Sequence, residues 1–304
     1  MKKTIWLIAA LSLFCGNTLA QESDALPFTR IDRNPVTSAF AGAGYAFNGS
    51  AAYSAFGGAA VLPFYLGTLD AAVSYQRWTP SLSPSNNVSA GAAYKITPRV
   101  GLSLGYSLGN GASYKVYEAP GEPSGVFFPK HHVIALGLGA GITDNLSLGI
   151  NVRYAREIPA PGKVYAGANA DVFVAYRFNG GLLLSAGLST LGTRVAENWQ
   201  QPASLKAAVN WGTVLGEDHA LNLLADADYY FSGNYSVAAG VQYGWKSLLF
   251  VRAGYHLASE NCVIPSHLGL GLGIHFYGFS LDVSYLTASF ELANTVNLGL
   301  SYSF

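Results

Sequence analysis

The stretch 294–304 reads NTVNLGLSYSF. Val296, Leu298, Leu300, Tyr302 and Phe304 fall on one face of an extended chain, and Asn297, Gly299, Ser301 and Ser303 on the other. Successive side chains of a strand point to opposite faces. This period of two therefore predicts a strand that is apolar on one side and small and polar on the other. The segment ends on an aromatic residue, Phe304. Chain ends fray unless they are tied down, so a neighbouring strand is needed to hold this one.

The same alternation recurs along the chain. It predicts strands at 69–78, 86–96, 99–109, 131–142, 145–156, 167–178, 181–191, 203–212, 220–230, 233–244, 247–257, 267–276, 278–287 and 294–304. Val100, Leu102, Leu104, Tyr106 and Leu108 alternate with Gly101, Ser103, Gly105, Ser107 and Gly109. Leu268, Leu270, Leu272, Ile274 and Phe276 alternate with Gly269, Gly271, Gly273 and His275. Strands near ten residues suit a tilted crossing of a bilayer. The second face is mostly Gly, Ser, Ala and Asn, too small and too weakly charged for the solvent side of a soluble sandwich. It suits a narrow lumen, which leaves the apolar face to meet lipid. Aromatic residues near strand ends, such as Tyr94, Trp211, Trp245 and Phe304, fit interfacial girdles.

Connections support this reading. KITPR (95–99), GITDN (141–145), YRFNGG (176–181), GWKS (244–247) and HFYGF (275–279) are tight turns. The intervening connections are longer: TPSLSPSN (79–86), residues 110–130, EIPAPGKVY (157–165), residues 189–203 and ASENCVIPS (258–266). FSGN (231–234) is the short exception on that edge. The fold expected is all-β: a transmembrane antiparallel β-barrel of fourteen strands over 68–304. Its last strand pairs with its first, so no edge is left unpaired in hydrocarbon.

Charged residues make up 11% of the chain and the formal net charge is zero. That balance excludes an electrostatic nucleic-acid binder. MKK, then TIWLIAALSLF, then NTLA reads as a cleaved signal peptide over 1–20. Cys15 offers a lipoprotein alternative, opposed by Phe14, because that processing needs a small residue before the cysteine. The mature chain keeps only Cys262, which rules out an internal disulfide. The expected location is the cell outer membrane.

Residues 21–67 precede the first strand and are rich in Gly and Ala. They are too apolar for a solvated tail, so a plug folded into the lumen is expected. The luminal parity carries Asp70, Asp171, Asp226, Asp228 and Asp282 with Arg153, Arg177, Lys206 and Arg252. Charges in a low-dielectric interior need partners, so a neutralised network joining plug and wall is expected. Of the six histidines, His256 and His267 are placed to approach one another at the outer edge. No triad and no HExxH metal motif is present, and AGAGYAF (41–47) lacks the strand–loop–helix setting of a phosphate loop. No cofactor is expected.

Several stretches resemble a known family. ALPFTRIDRNPVTSAFAGAGYAF (25–47) resembles the mature start of PorV-type outer-membrane proteins. VSYQRWTPSL (73–82), FPKHHVIALGLGAGITDNLSLGINVRYARE (128–157) and LLFVRAGYHL (248–257) are similar to later strands of that family, in the same order. SAFGGAA (54–60) stands where the family has Asn-Pro-Ala. The resemblance to PorV and PorQ implies a fourteen-stranded relative of the FadL fatty-acid channel that serves type IX secretion. It also implies partners: outer-membrane lipid, and secretion-system subunits or exported proteins. The leading expectation is therefore a non-enzymatic accessory or shuttle in protein secretion. The alternative is a FadL-like channel for small hydrophobic solutes. The third is a lipid-modifying enzyme at the outer rim.

Overall fold

The computed structural model describes residues 23–80, 84–117, 120–196, 199–287, 292 and 294–304. The signal-peptide reading of 1–20 lies outside them. Fourteen antiparallel strands close into one barrel. They are β1 (Leu69–Trp78), β2 (Ser85–Thr97), β3 (Val100–Gly111), β4 (Lys130–Gly141), β5 (Leu146–Ala160), β6 (Lys163–Arg177) and β7 (Leu182–Gly192). The circuit continues with β8 (Ser204–Leu215), β9 (His219–Tyr230), β10 (Tyr235–Trp245), β11 (Leu249–Ala258), β12 (His267–Phe276), β13 (Phe279–Thr287) and β14 (Thr295–Ser303). Each of the fourteen predicted strands is present, and β1 and β12 keep their predicted bounds.

Closure answers the question posed by the last residues. β14 pairs with β1 from Val296↔Arg77 to Ser303↔Asp70. Phe304 donates its N–H to Leu69 O at 2.8 Å and accepts from the N–H groups of Thr68 and Leu69 at 2.6 and 2.9 Å. Both backbone groups of Phe304 are thus tied to the start of β1, and Ser303 N donates to Gly278 O at 2.8 Å on the other side.

The alternation divides the wall as expected. Leu298, Leu300, Tyr302 and Phe304 are exposed, whereas Asn297 and Thr295 are fully buried. The exposed side is an apolar belt around the whole barrel, bounded by Tyr94, Tyr176, Trp211, Tyr243 and Trp245 toward the short turns, and by Tyr75, Tyr229, Tyr235, Tyr255 and Tyr285 toward the other end. An apolar surface of this extent on a closed barrel is matched by hydrocarbon and not by water.

One connection departs from the sequence reading. EIPAPGKVY, expected as a loop, is a strand extension: β5 runs to Ala160, and β6 begins at Lys163 with Ala160↔Lys163 paired. Gly162 (φ 72°) makes the tight reversal. Pro159 is tolerated because the register shifts between Glu157 and Ala160, where a ladder donor is not needed. The 110–130 connection also contains a small hairpin, Tyr114–Val116 with Gly125–Phe127.

The chain from Ala25 to Tyr65 lies inside the barrel. It contains one α-helix, α1 (Pro35–Ala39), and 3₁₀ turns at Pro27–Arg30, Ser54–Phe56 and Ala59–Phe64. Asn34 caps α1 by accepting from Val36 N at 3.0 Å, and Pro35 takes the first helical position, where its missing donor costs nothing. Ala41 and Gly42 have positive φ and end it. A helix of five residues is not stable alone; packing holds it. Phe40 is fully buried and clusters with Val36, Phe47, Leu224 and Ala238. Phe28, Tyr53 and Phe56 cluster with Trp78, Val133 and Leu286 of the wall.

Glycines on the inner wall make room for this segment. A Cβ on Gly254 would collide with the backbone of Phe40, and one on Gly149 with the backbone of Ala60. Gly254→Val is therefore expected to unseat α1 and destabilise the fold by about 1–3 kcal/mol, the usual cost of overpacking. A lowered urea midpoint in lipid vesicles would report it; an unchanged midpoint would show that α1 does not rest there.

Candidate functional site

The inward charges fall into separate groups, each built from neighbouring strands. On β5 and β6, Arg153 pairs with Asp171 at 2.5 Å and donates through Nε to Asn169 Oδ1 at 2.7 Å and through Nη1 to Phe56 O. Asp171 Oδ1 also accepts from Thr190 N at 2.6 Å and Ser189 Oγ at 3.2 Å. Thr190 has φ 56°, and the β6–β7 register shifts between Leu188 and Leu191. One carboxylate therefore neutralises a buried guanidinium and also satisfies a bulge in the wall.

On β8 and β9, Lys206 pairs with Asp228 at 2.8 Å and Asp226 at 4.0 Å, with its Nζ 3.9 Å from the centre of the Tyr45 ring. Asp226 Oδ2 accepts from Gly44 N and Tyr45 N, each at 3.1 Å. Arg30 of the N-terminal segment comes within 4.0 Å of Asp228, donates to Ser204 Oγ at 3.0 Å and to Pro202 O, and lies over the Tyr230 ring. On β1, Asp70 accepts from Ala51 N at 2.6 Å and Ala52 N at 3.0 Å. Asp70 and Asp226 thus do the same job: each carboxylate takes two successive N–H groups of an irregular buried segment that has no ladder to satisfy them.

Arg252 on β11 and Asp282 on β13 pair at 2.5 Å across β12, with Gln242 accepting from Arg252 Nε at 2.7 Å. This group joins wall to wall. Arg177 departs from the expectation of a shared network. It has luminal parity but stands at the short-turn rim, where it donates to Asp144 O at 3.1 Å and lies over the Phe64 ring at 4.9 Å. β6 ends there, so a carbonyl and a ring are what lies within its reach.

Sequence reasoning missed the partners contributed by the N-terminal segment. Arg33 is buried, donates to the carbonyls of Phe28, Thr29 and Ile31, and lies over the Phe56 ring. Burial, with Arg153 nearby, lowers its pKa to about 9, so it stays charged at neutral pH. Burial pushes the Asp32 carboxyl up, opposed by hydrogen bonds from the Thr37 hydroxyl and Asn34 N–H. Asn151 was missed as well. It donates to Ser54 O at 2.6 Å and Ala55 O at 3.0 Å and accepts from Ala59 N at 3.3 Å. The signal available was RIDRNP (30–35), a polar run inside an apolar segment.

His256 and His267 do meet, stacked across β11 and β12 with ring centres 5.1 Å apart. Both have luminal parity, with His267 buried, so the pair faces the interior and not the lipid rim. Among the described residues, no group of three or more His, Cys, Asp or Glu side chains is arranged to hold a metal ion.

Two cavities lie between segment and wall. One, of about 160 Å³, occupies the long-loop half, with Trp78, Lys206, Tyr230, His256 and Leu286 on its wall side. The other, of about 230 Å³, occupies the short-turn half and touches Asp70, Phe250, Arg252, Asp282 and Ser301. Phe47 and Ser50 line both. The Phe47 ring is buried and packs edge-on against Phe40 at 5.5 Å. It is the large side chain that stands between the two spaces.

A closed fourteen-strand antiparallel barrel, greasy outside and filled inside by its own N-terminal segment, defines the class by fold. Solved structures superpose on this chain over most of its length. The toluene transporter TbuX of Ralstonia pickettii superposes with TM-score 0.66 at 12% identity, over 91% of this chain and 99% of that one. The Pseudomonas putida toluene transporter TodX gives 0.59 at 14%, over 93% and 99%. A Pseudomonas aeruginosa FadL homologue gives 0.54 at 11%, over 89% and 98%. At such identities the likeness is one of fold. No protein-family model matches the chain, and no curated protein matches it. The secretion role implied by the PorV-like stretches gains nothing from these structures.

Proposed function

We propose that the protein is an outer-membrane channel for small hydrophobic solutes, with residues 25–65 acting as a plug through which the solute path threads. The observation that carries this reading is the pair of cavities, one at each end of the lumen, that share Phe47 and Ser50. A sealed barrel has no need of spaces at both ends of its filling. A wide aqueous pore would leave the lumen open, whereas here the segment is hydrogen-bonded to wall residues on several sides of the barrel. The toluene transporters TbuX and TodX, similar in fold, fit the same reading. On this reading, the luminal ion pairs Arg153–Asp171 and Lys206–Asp228 position the segment, Arg252–Asp282 braces the wall, and none takes a chemical step.

The test is uptake of labelled toluene by whole cells that lack the protein, with and without complementation. Complementation is expected to restore fast uptake. Equal rates in both strains would overturn the proposal.

A secretion shuttle of PorV type is the second reading. The feature that favours it is the hairpin in the 110–130 connection, where Tyr117, Val126 and Phe128 are exposed and apolar. Mild extraction from native membranes followed by mass spectrometry separates the two readings: stoichiometric secretion subunits or exported proteins support the shuttle, and a barrel carrying only lipid removes it.

A further inference from the structure

The outward face of the barrel carries little charge, and what it carries has one sign. Among the described strands, the charged residues of lipid parity are Arg77 on β1, Lys130 on β4 and Arg156 on β5, and all three are exposed. No aspartate or glutamate of a described strand shares that face. Each of the three cations stands at the long-loop end of its strand.

The register brings them together. Arg77, Asn86, Asn110 and Lys130 lie directly opposite one another across β1, β2, β3 and β4. At a strand spacing of about 4.8 Å this polar row is about 14 Å long. Two residues further into the wall, His132 of β4 lies opposite Arg156 of β5. Tyrosines of the belt edge hold the row from below: Tyr75 donates to Asn86 Oδ1 at 2.9 Å, and the Tyr106 hydroxyl is bonded to His132 Nδ1 at 3.0 Å. Among the described residues, Arg77, Lys130 and Arg156 have no ion-pair partner, and the amide N–H groups of Asn86 and Asn110 have no acceptor.

The opposite edge is built differently. There Arg99 pairs with Asp144 at 2.6 Å and Lys246 with Asp218 at 3.7 Å. The chain gives its exposed cations carboxylates at the short turns and gives them none on β1–β5. Long cationic side chains at the edge of the hydrocarbon carry their charge to headgroup level, where anionic lipid can supply the counter-ion.

We infer that this face of β1–β5 binds a phosphorylated glycolipid of the outer leaflet, the chemistry of lipid A. Arg77, Lys130 and Arg156 take phosphate oxygens, and Asn86 and Asn110 donate to the sugar between them. A guanidinium fork meets a phosphate through two parallel bonds, and an ammonium meets it as a point charge. The inference requires the long loops to face outside, as in barrels of this kind, and does not depend on what passes through the lumen.

The test is native mass spectrometry of the delipidated full chain in detergent, titrated with bis-phosphorylated lipid A, with the same lipid stripped of both phosphates, and with phosphatidylglycerol. The expected result is saturable binding of lipid A, with the stripped lipid weaker by about tenfold or more because its charge-assisted contacts are gone. Phosphatidylglycerol is expected to bind less tightly than lipid A. The triple variant Arg77→Gln, Lys130→Gln, Arg156→Gln is expected to bind lipid A about a hundredfold less tightly, about fivefold per cation. Arg99→Gln with Lys246→Gln, at the other edge, is expected to leave the affinity unchanged. Equal binding of the stripped lipid, parent affinity in the triple variant, an equal loss in the short-turn variant, or phosphatidylglycerol binding as tightly would each overturn the inference. The lipid comparisons use the unaltered chain, so a folding fault in a variant cannot decide the outcome.

Discussion

Lys206→Met is expected to destabilise the folded barrel by about 3–5 kcal/mol, the scale for breaking a buried ion pair by removing one partner. Lys206 stands between Asp228 at 2.8 Å and Asp226 at 4.0 Å, and its side chain is 7% exposed. Met keeps most of the stem and removes the charge. Two carboxylates then face each other, with Arg30, 4.0 Å from Asp228, as the remaining described ion-pair partner. Urea unfolding in lipid vesicles reads the loss directly. Adding Asp226→Asn and Asp228→Asn to the same chain is expected to recover most of it, because the penalty arises from uncompensated charge and not from lost volume. A loss below about 0.5 kcal/mol in the single variant would instead mean that water screens the group as it does at a surface.

Phe47→Ala is expected to join the two luminal cavities. The ring is buried, lines both spaces, and rests against Phe40. Removing it opens a continuous aqueous thread past Ser50. In planar bilayers the variant should show conductance steps that the parent chain lacks. Stability will fall too, by about 3–5 kcal/mol for a buried Phe→Ala change, so a control is needed. Leu62→Ala removes a side chain that is also buried, 1% exposed, and that lines neither cavity. It is expected to lose about 2–5 kcal/mol with no new conductance. Conductance in both variants, or in neither, would mean that Phe47 is packing alone.

The wall was legible because its rule is local. Most strands carry a clear period of two, and a slip of one residue would send their apolar set into the lumen. The β5–β6 extension was not legible, because Pro159, Pro161 and Gly162 carry loop chemistry; only the register shift beside Glu157 shows how the ladder absorbs a proline. Parity placed the wall charges on the inner side, but not their partners. Arg252 reaches Asp282 across an intervening strand, and it can do so because Gly273 of β12 leaves space beside both groups. Such a pairing depends on how the strands are staggered, which no single strand records. Arg30, Asp32 and Arg33 were hidden for another reason. Their segment has no period, and its conformation is set by the cavity it fills.

The FadL-type fold sharpens what the sequence left open. PorV-like stretches and a FadL-like barrel are compatible at the level of architecture, since the resemblance itself implied a fourteen-strand FadL relative. They part at function. The paired cavities give the solute-channel reading a physical basis in this chain, whereas the secretion reading rests on stretches of sequence and one exposed hairpin.

The most direct test of the central claim, that solutes travel inside the barrel past the N-terminal segment, is a crystal structure of the full chain grown with 4-bromotoluene and recorded at the bromine edge. The account requires anomalous density in the lumen, in the long-loop cavity or beside Phe47. Bromine confined to the outer apolar belt, with the lumen empty of it, would contradict the account.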